Sequence, residues 1–174
     1  MTALQRRDKT AKQLSLALEK LPKGVYKRDV AESVPVTPSA LSQWANGSRK
    51  MANDVLRPLA KFIHQARFNY SGASQDYGIL SFKDDGKVKD DLFAATVDQQ
   101  QQERERIEAQ IVGYASLIKP DKLKTSKDQE NIDKYLNEYG EEISSELTDY
   151  FEKCAYANRN PMDLIEEINK RIGG

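Results

Sequence analysis

The chain has 174 residues, with 27 Lys or Arg against 27 Asp or Glu and therefore a formal net charge of zero. At 39% hydrophobic and 31% charged residues it is polar for a folded protein, yet apolar enough for one domain or two small ones. No run approaches the ~18 consecutive apolar residues of a membrane span, MTALQRRDKT has no secretion-signal core, and one Cys and one His exclude an intramolecular disulfide and a zinc site.

In chain order, the first helical stretch runs from about Ala3 to Leu21, with Leu14, Leu18 and Leu21 on one face, and ends at Pro22-Lys23-Gly24. A short helix over Lys27–Ser33 turns Val30 and Ala31 inward. Val34-Pro35-Val36 cannot continue it, because proline lacks a backbone donor and restricts the residue before it. Thr37-Pro38 opens the next helix, since threonine is a good N-cap and proline suits the first helical position. That helix carries Ala40, Leu41 and Trp44 inward and stops at Asn46-Gly47. Asn53 or Asp54 caps a fourth helix with Val55, Leu56, Leu59, Ala60 and Ile63 as its apolar stripe, reaching at least Ala66.

Residues 69–97 read as a linker, turn-rich at NYSGASQDYG and with a small hairpin around Asp85-Gly86. From Asp98 onward the pattern is helical. Ile107, Ile111, Ala115 and Ile118 mark a helix over Gln99–Ile118, closed by Pro120. Ser126 caps a helix with Ile132, Tyr135, Leu136 and Tyr139, which Gly140 ends; Ile143, Leu147, Tyr150, Phe151 and Cys154 mark another. Asn160-Pro161 begins the last, with Leu164, Ile165, Ile168 and Ile172 inward. The expected fold is all-α: a four- or five-helix domain over residues 1–68, the linker at 69–97, and a helical bundle over 98–174.

The balanced charge hides an asymmetry. Residues 1–70 hold 13 Lys or Arg against 5 Asp or Glu, while residues 71–174 hold 14 against 22. A basic half suits a polyanion, and here it also contains the strongest motif. Two short helices joined by a tight turn, the second opened by Thr-Pro and closed by Asn-Gly, have the pattern of a helix-turn-helix.

The stretch YKRDVAESVPVTPSALSQWANGSRK, Tyr26–Lys50, resembles the lambda-repressor-like (Xre-type) DNA-binding family. Ala31 is the small residue at the helix crossing, Val36 the buried turn residue, and Leu41 and Trp44 the inward positions of the recognition helix. Trp44-Ala45-Asn46-Gly47 matches the W-x-N-G ending. The likeness covers roughly residues 10–67. The chain departs from the family at Pro35, where glycine is usual; proline cannot take a left-handed backbone, so the turn must be rebuilt locally.

With Ala40, Leu41 and Trp44 inward, the outer face is Thr37, Pro38, Ser39, Ser42, Gln43 and Asn46, none bulky or charged enough to block a major groove. Gln43 can bond an adenine edge through both amide atoms, and Ser39 or Ser42 can bond several bases. The resemblance places Ser39 and Gln43 on base-reading positions, with Pro38 offering an apolar contact. Lys27, Thr37, Asn46, Arg49 and Lys50 are the phosphate candidates, supplying affinity without sequence information. Arg6, Arg7, Lys9 and Lys12 form a basic run that serves either as an arm along the backbone or as a solvated helix start.

Such modules read two half-sites as a dimer. Ile107, Ile111 and Ile118 with Leu164, Ile165, Ile168 and Ile172 are the dimerisation candidates; the alternative is an ordinary intramolecular core. Self-cleavage, which many repressors of the family perform, needs a β-rich domain and an Ala-Gly or Cys-Gly bond, and neither dipeptide is present. No catalytic residue, cofactor or metal site is expected: HExxH, Walker and GxSxG motifs are absent. His64 reads as packed or surface-lying, Cys154 as a small buried hydrophobe, and Glu141-Glu142 and Glu166-Glu167 as solvated faces.

The resemblance implies a phage- or mobile-element-type regulator in the bacterial cytoplasm or nucleoid, more a repressor than an activator. It would bind double-stranded DNA at a two-fold operator as a homodimer or higher oligomer. The rival is a protein-interaction module whose acidic helical tail binds an antirepressor, a toxin or a replication protein, with DNA binding as an anchor.

Overall fold

A computed structural model describes residues 8–84 and 91–173. These are helical, with no strand among the described residues; the hairpin expected around Asp85-Gly86 lies outside them. The chain divides into two compact units: the residues up to Ile79 together with those from Asn160 on, and Leu80–Arg159.

The first unit comprises α1 (Lys9–Glu19), α2 (Lys27–Glu32), α3 (Pro38–Ala45), α4 (Asn53–Ile63), α5 (Ala66–Tyr77) and α8 (Pro161–Ile172). In its hydrophobic core Leu14, Ala17 and Leu18 of α1 meet Val30 and Ala31 of α2, Leu41 and Trp44 of α3, Leu56, Leu59 and Ile63 of α4, and Phe68 of α5. Helices this short are marginal alone in water, so packing of these faces is what holds them. Two expectations change here. The fourth helix stops at Ile63 rather than running to Ala66, because His64 takes a left-handed backbone with φ 51°. NYSGASQDYG is mostly helix, not linker. Phe68 is buried, Ser71 accepts the Thr10 hydroxyl at its backbone oxygen at 3.2 Å, and Gly72 packs beside Leu56. Tertiary contact overrides the local preference of Gly, Ser and Asn for turns.

The last helix also differs from expectation, since it belongs with the first unit rather than with the residues from 98 onward. Asn160 caps α8 by accepting from the Met162 N–H at 3.0 Å, and its amide donates to the His64 carbonyl at 3.2 Å. His64 Nε2 lies 2.8 Å from Asp163 Oδ1. Leu164 and Ile165 are half-buried, while Ile168 and Ile172 are exposed.

The second unit is a hairpin of two long antiparallel helices, α6 (Leu92–Leu117) and α7 (Ser126–Tyr156), joined through a 3-10 turn at Asp121–Leu123. The two helices expected on either side of Gly140 are one: nothing stands within 4 Å of a Cβ built on Gly140, and the helix runs straight through it. Thr125, not Ser126, is the N-cap, in a reciprocal pair with Asp128. The seam between the helices is largely polar. Arg106 donates twice to Glu142, at 2.8 and 3.2 Å, and Thr96 donates to Asp149 at 2.8 Å. Glu142 is therefore buried and paired, not part of a solvated face. Phe82, fully buried, meets Phe151 edge-on with ring centres 5.8 Å apart, and the Lys83 N–H donates to Thr148 at 2.8 Å. Cys154 is buried, as expected.

The helices come closest at Gly113. A Cβ there would stand 2.3 Å from Tyr135 Cβ, a rigid stem that cannot swing aside. Gly113→Ala therefore overpacks the seam and costs about 1–3 kcal/mol, outweighing the ~0.5–1 kcal/mol that alanine gains in a helix interior. Gly140→Ala, with open space around it, raises stability by that same ~0.5–1 kcal/mol. Thermal unfolding followed by circular dichroism checks both signs.

Asp128 ties the turn end of the hairpin together. Lys119 donates to it at 2.5 Å, the Thr125 N–H and hydroxyl at 2.9 and 2.8 Å, and Ser116 at 2.9 Å. The Lys119 ammonium first, and then the Thr125 donors, hold the Asp128 carboxyl far below the usual carboxylate range. A depressed folded-state pKa stabilises the fold above the unfolded value of about 3.9 and loses that contribution as pH falls toward the folded one. Asp128→Asn thus melts earlier than the parent at neutral pH. The difference in melting temperature shrinks as the pH is lowered beneath ~4, which a pH series of melting curves measures.

Candidate nucleic-acid interface

The basic stretch singled out in the sequence lies in the first unit, around α2 and α3. Asp29 accepts from the Tyr26 N–H at 2.7 Å and so fixes the start of α2. The connection that follows is built around Pro35: the Val36 N–H donates to the Val34 carbonyl at 2.6 Å, the i→i+2 bond of a γ-turn, which proline's fixed φ suits. This is how the chain turns without a glycine. The fully buried turn residue is Val34, at 1% exposure, and not Val36, which packs against the core only in part. Val34 therefore anchors the turn, and Pro35 points outward.

Thr37 caps α3 by accepting from the Ala40 N–H at 3.2 Å, with Pro38 in the first turn. Leu41 and Trp44 are buried at 1% and 5% exposure. Because residues three apart share a helix face, burying that pair turns the opposite side to solvent. Thr37, Pro38, Ser39, Ser42, Gln43 and Asn46 are all exposed. At the far end Asn46 accepts from the Ser48 N–H at 2.8 Å and Gly47 takes φ +77°, so the chain folds back on α3. The Gln43 carbonyl then accepts from the Arg49 N–H at 3.2 Å, which fixes the backbone of Arg49 beside the helix end. Arg49 and Lys50 are exposed there, as is Lys27 at the start of α2.

Hydrogen bonding narrows what each side chain can do. The Ser42 hydroxyl donates to the Pro38 carbonyl at 2.9 Å, which leaves its oxygen to act as an acceptor from adenine or cytosine amino groups. The Asn46 oxygen is engaged in the turn, so its amide hydrogens are what it can offer an anion. The Thr37 oxygen accepts the cap bond, and its hydroxyl proton can go to a phosphate. Two residues that sequence reasoning passed over stand beside Lys27. Tyr26 is 59% exposed, and the Arg28 guanidinium lies 5.4 Å from its ring centre, an aromatic–cation pair at the same helix start. The run Tyr-Lys-Arg was the available signal.

The dimerisation candidates fall in both units. Ile107, Ile111 and Ile118 stand on α6 in the second unit and are exposed; Leu164, Ile165, Ile168 and Ile172 stand on α8 in the first. The reading of the α6 isoleucines as intramolecular core fails on that exposure. His64 is occupied by Asp163. Among the described residues no group of His, Cys, Asp and Glu is placed to hold a metal ion, and no helix is long and apolar enough to cross a membrane. No protein-family model, curated protein or solved structure matches the chain.

Thr37→Ala removes the side-chain acceptor at the start of α3 and costs about 1 kcal/mol. Urea unfolding of the full chain measures that loss, and an unchanged midpoint would mean the cap carries no weight.

Proposed function

We propose that the chain is a sequence-specific transcriptional regulator of repressor type that binds double-stranded DNA, with α2, the Pro35 turn and α3 acting as a helix-turn-helix. The observation that carries the reading is the division of α3 into a buried side, Leu41 and Trp44, and an exposed side of small hydrogen-bonding residues bordered by cations. A helix that enters the major groove needs such a face, because bulky or acidic groups would collide with or be repelled by the groove.

In this reading Gln43 uses its carbonyl and amide together on an adenine, Ser39 bonds a neighbouring base, Ser42 accepts from an amino group, and Pro38 lies against a thymine methyl. Lys27, Thr37, Asn46, Arg49 and Lys50 hold phosphates and set the register. The basic surplus of the first 70 residues supplies long-range attraction. A single eight-residue helix reads too few bases to single out a site, so two copies on a two-fold operator are required, and an occupied operator blocks polymerase. No step of this activity is chemical, and no cofactor takes part.

Selection of bound duplexes from a random pool, at fixed salt, is expected to enrich an inverted repeat; retention without any enriched sequence would refute the specific reading. Against the selected site, Gln43→Ala costs ~1–3 kcal/mol and relaxes one base position. Lys27→Ala weakens binding to every sequence alike and lowers the slope of log affinity against log salt by about 0.9. Should both variants bind as the parent does, the recognition helix is not α3.

A further inference from the structure

The hairpin of the second unit distributes its polarity in reverse. The face of α6 that meets α7 carries Gln102, Arg106 and Ser116 beside Ala95 and Gly113. The opposite face is the apolar one. Steps of four and three residues in alternation lead from Phe93 through Val97 and Gln100 to Arg104. The same steps continue through Ile107, Ile111 and Tyr114 to Ile118. Every one of these residues is exposed, Phe93 at 80%, Ile111 at 74% and Ile118 at 66%. Surface apolar residues are normally scattered singly, whereas six of these eight are apolar and share one stripe, interrupted by Gln100 and Arg104, with the 3.5-residue period of a coiled-coil seam. Over the 26 residues of α6 the stripe is about 39 Å long at 1.5 Å per residue.

We propose that this stripe is a dimer seam in which α6 pairs, antiparallel, with α6 of a second copy of the chain. The charges on the helix choose both the occupant and its direction. Parallel pairing would set Arg104 against its own copy inside the seam and Glu103 against Glu108 along the flank, two like-charge contacts. Antiparallel pairing about a two-fold axis near the helix midpoint removes both. Phe93 then meets Ile118, Val97 meets Tyr114, Gln100 meets Ile111, and Arg104 meets Ile107 with its guanidinium beside Glu108 of the second copy. The stripe is complementary to itself in this one direction, as an isologous interface requires. The pairing supplies the two-fold symmetry that the DNA-binding reading calls for, and its place in regulation rests on that reading. The pairing itself is measured without DNA, so the two can fail separately.

Sedimentation equilibrium of the full chain in the micromolar range is expected to show a dimer. Ile111→Glu weakens self-association at least about thirtyfold, the range of an interface hot spot, while its far-ultraviolet circular dichroism stays that of the parent because Ile111 is exposed. Direction is read by disulfide trapping, with the buried Cys154 of the parent chain as background. A mixture of Gln100→Cys and Ile111→Cys chains gives the mixed dimer, and Ile111→Cys alone gives little. A parent that stays monomeric, or a dimer untouched by Ile111→Glu, overturns the seam; efficient trapping of Ile111→Cys with itself overturns the antiparallel direction.

Discussion

Burial of Leu41 and Trp44 is the contact on which the candidate interface depends. A helix of eight residues has too few internal hydrogen bonds to persist alone, so α3 exists because two large side chains reach the core of the first unit. They also fix its rotation. Once both are inside, the positions between and beyond them have no other direction than outward, and the sequence at those positions is Thr, Pro, Ser, Ser, Gln and Asn. The same anchoring sets the position of the cations. Gly47 and the Asn46 turn return the chain to the Gln43 carbonyl, which leaves Arg49 and Lys50 at one end of α3, while Val34 and the Pro35 turn connect its other end to α2.

Much of this was legible from local chemistry. Thr37-Pro38 and Asn160-Pro161 cap helices as written, Asn46-Gly47 ends one, and the periodicity of Leu41 with Trp44 names the buried side. What escaped was decided by contacts distant in sequence. The turn-rich composition of NYSGASQDYG hides a helix that Phe68, Ser71 and Gly72 pack against α1 and α4. Gly140 reads as a stop, yet the reciprocal cap at Thr125 and the ion pairs along the seam carry α7 through it, outweighing a cost of about 1 kcal/mol for glycine in a helix. The last helix was misplaced because its isoleucines spell an amphipathic face without saying which unit that face meets; the bonds among Asn160, His64 and Asp163 place it with the first.

The isoleucines of α6 illustrate the limit of periodicity most clearly. Their spacing identifies a helix with an apolar face, but spacing alone carries no information on whether that face looks toward the same chain. The answer comes from the other side of the helix. Arg106 and Ser116 are bonded to α7, and Gly113 lets Tyr135 approach, so the intramolecular contact is made without Ile107, Ile111 or Ile118.

A seam of this kind has an energetic consequence. An ion pair taken out of water recovers little more than the desolvation it costs, so Arg106–Glu142 holds the register of α6 against α7 more than it adds to its stability. The buried apolar side chains of the unit gather mainly at Phe82, Phe151 and Cys154 toward one end of the hairpin, with Ile132 toward the other. The apolar stripe of α6 points outward, and burying it is a large hydrophobic gain open to the unit. A hairpin that is specific in its register but modest in its own stability gains most from a partner along its length. Folding and association of this unit are then linked, and its stability rises with chain concentration as mass action requires.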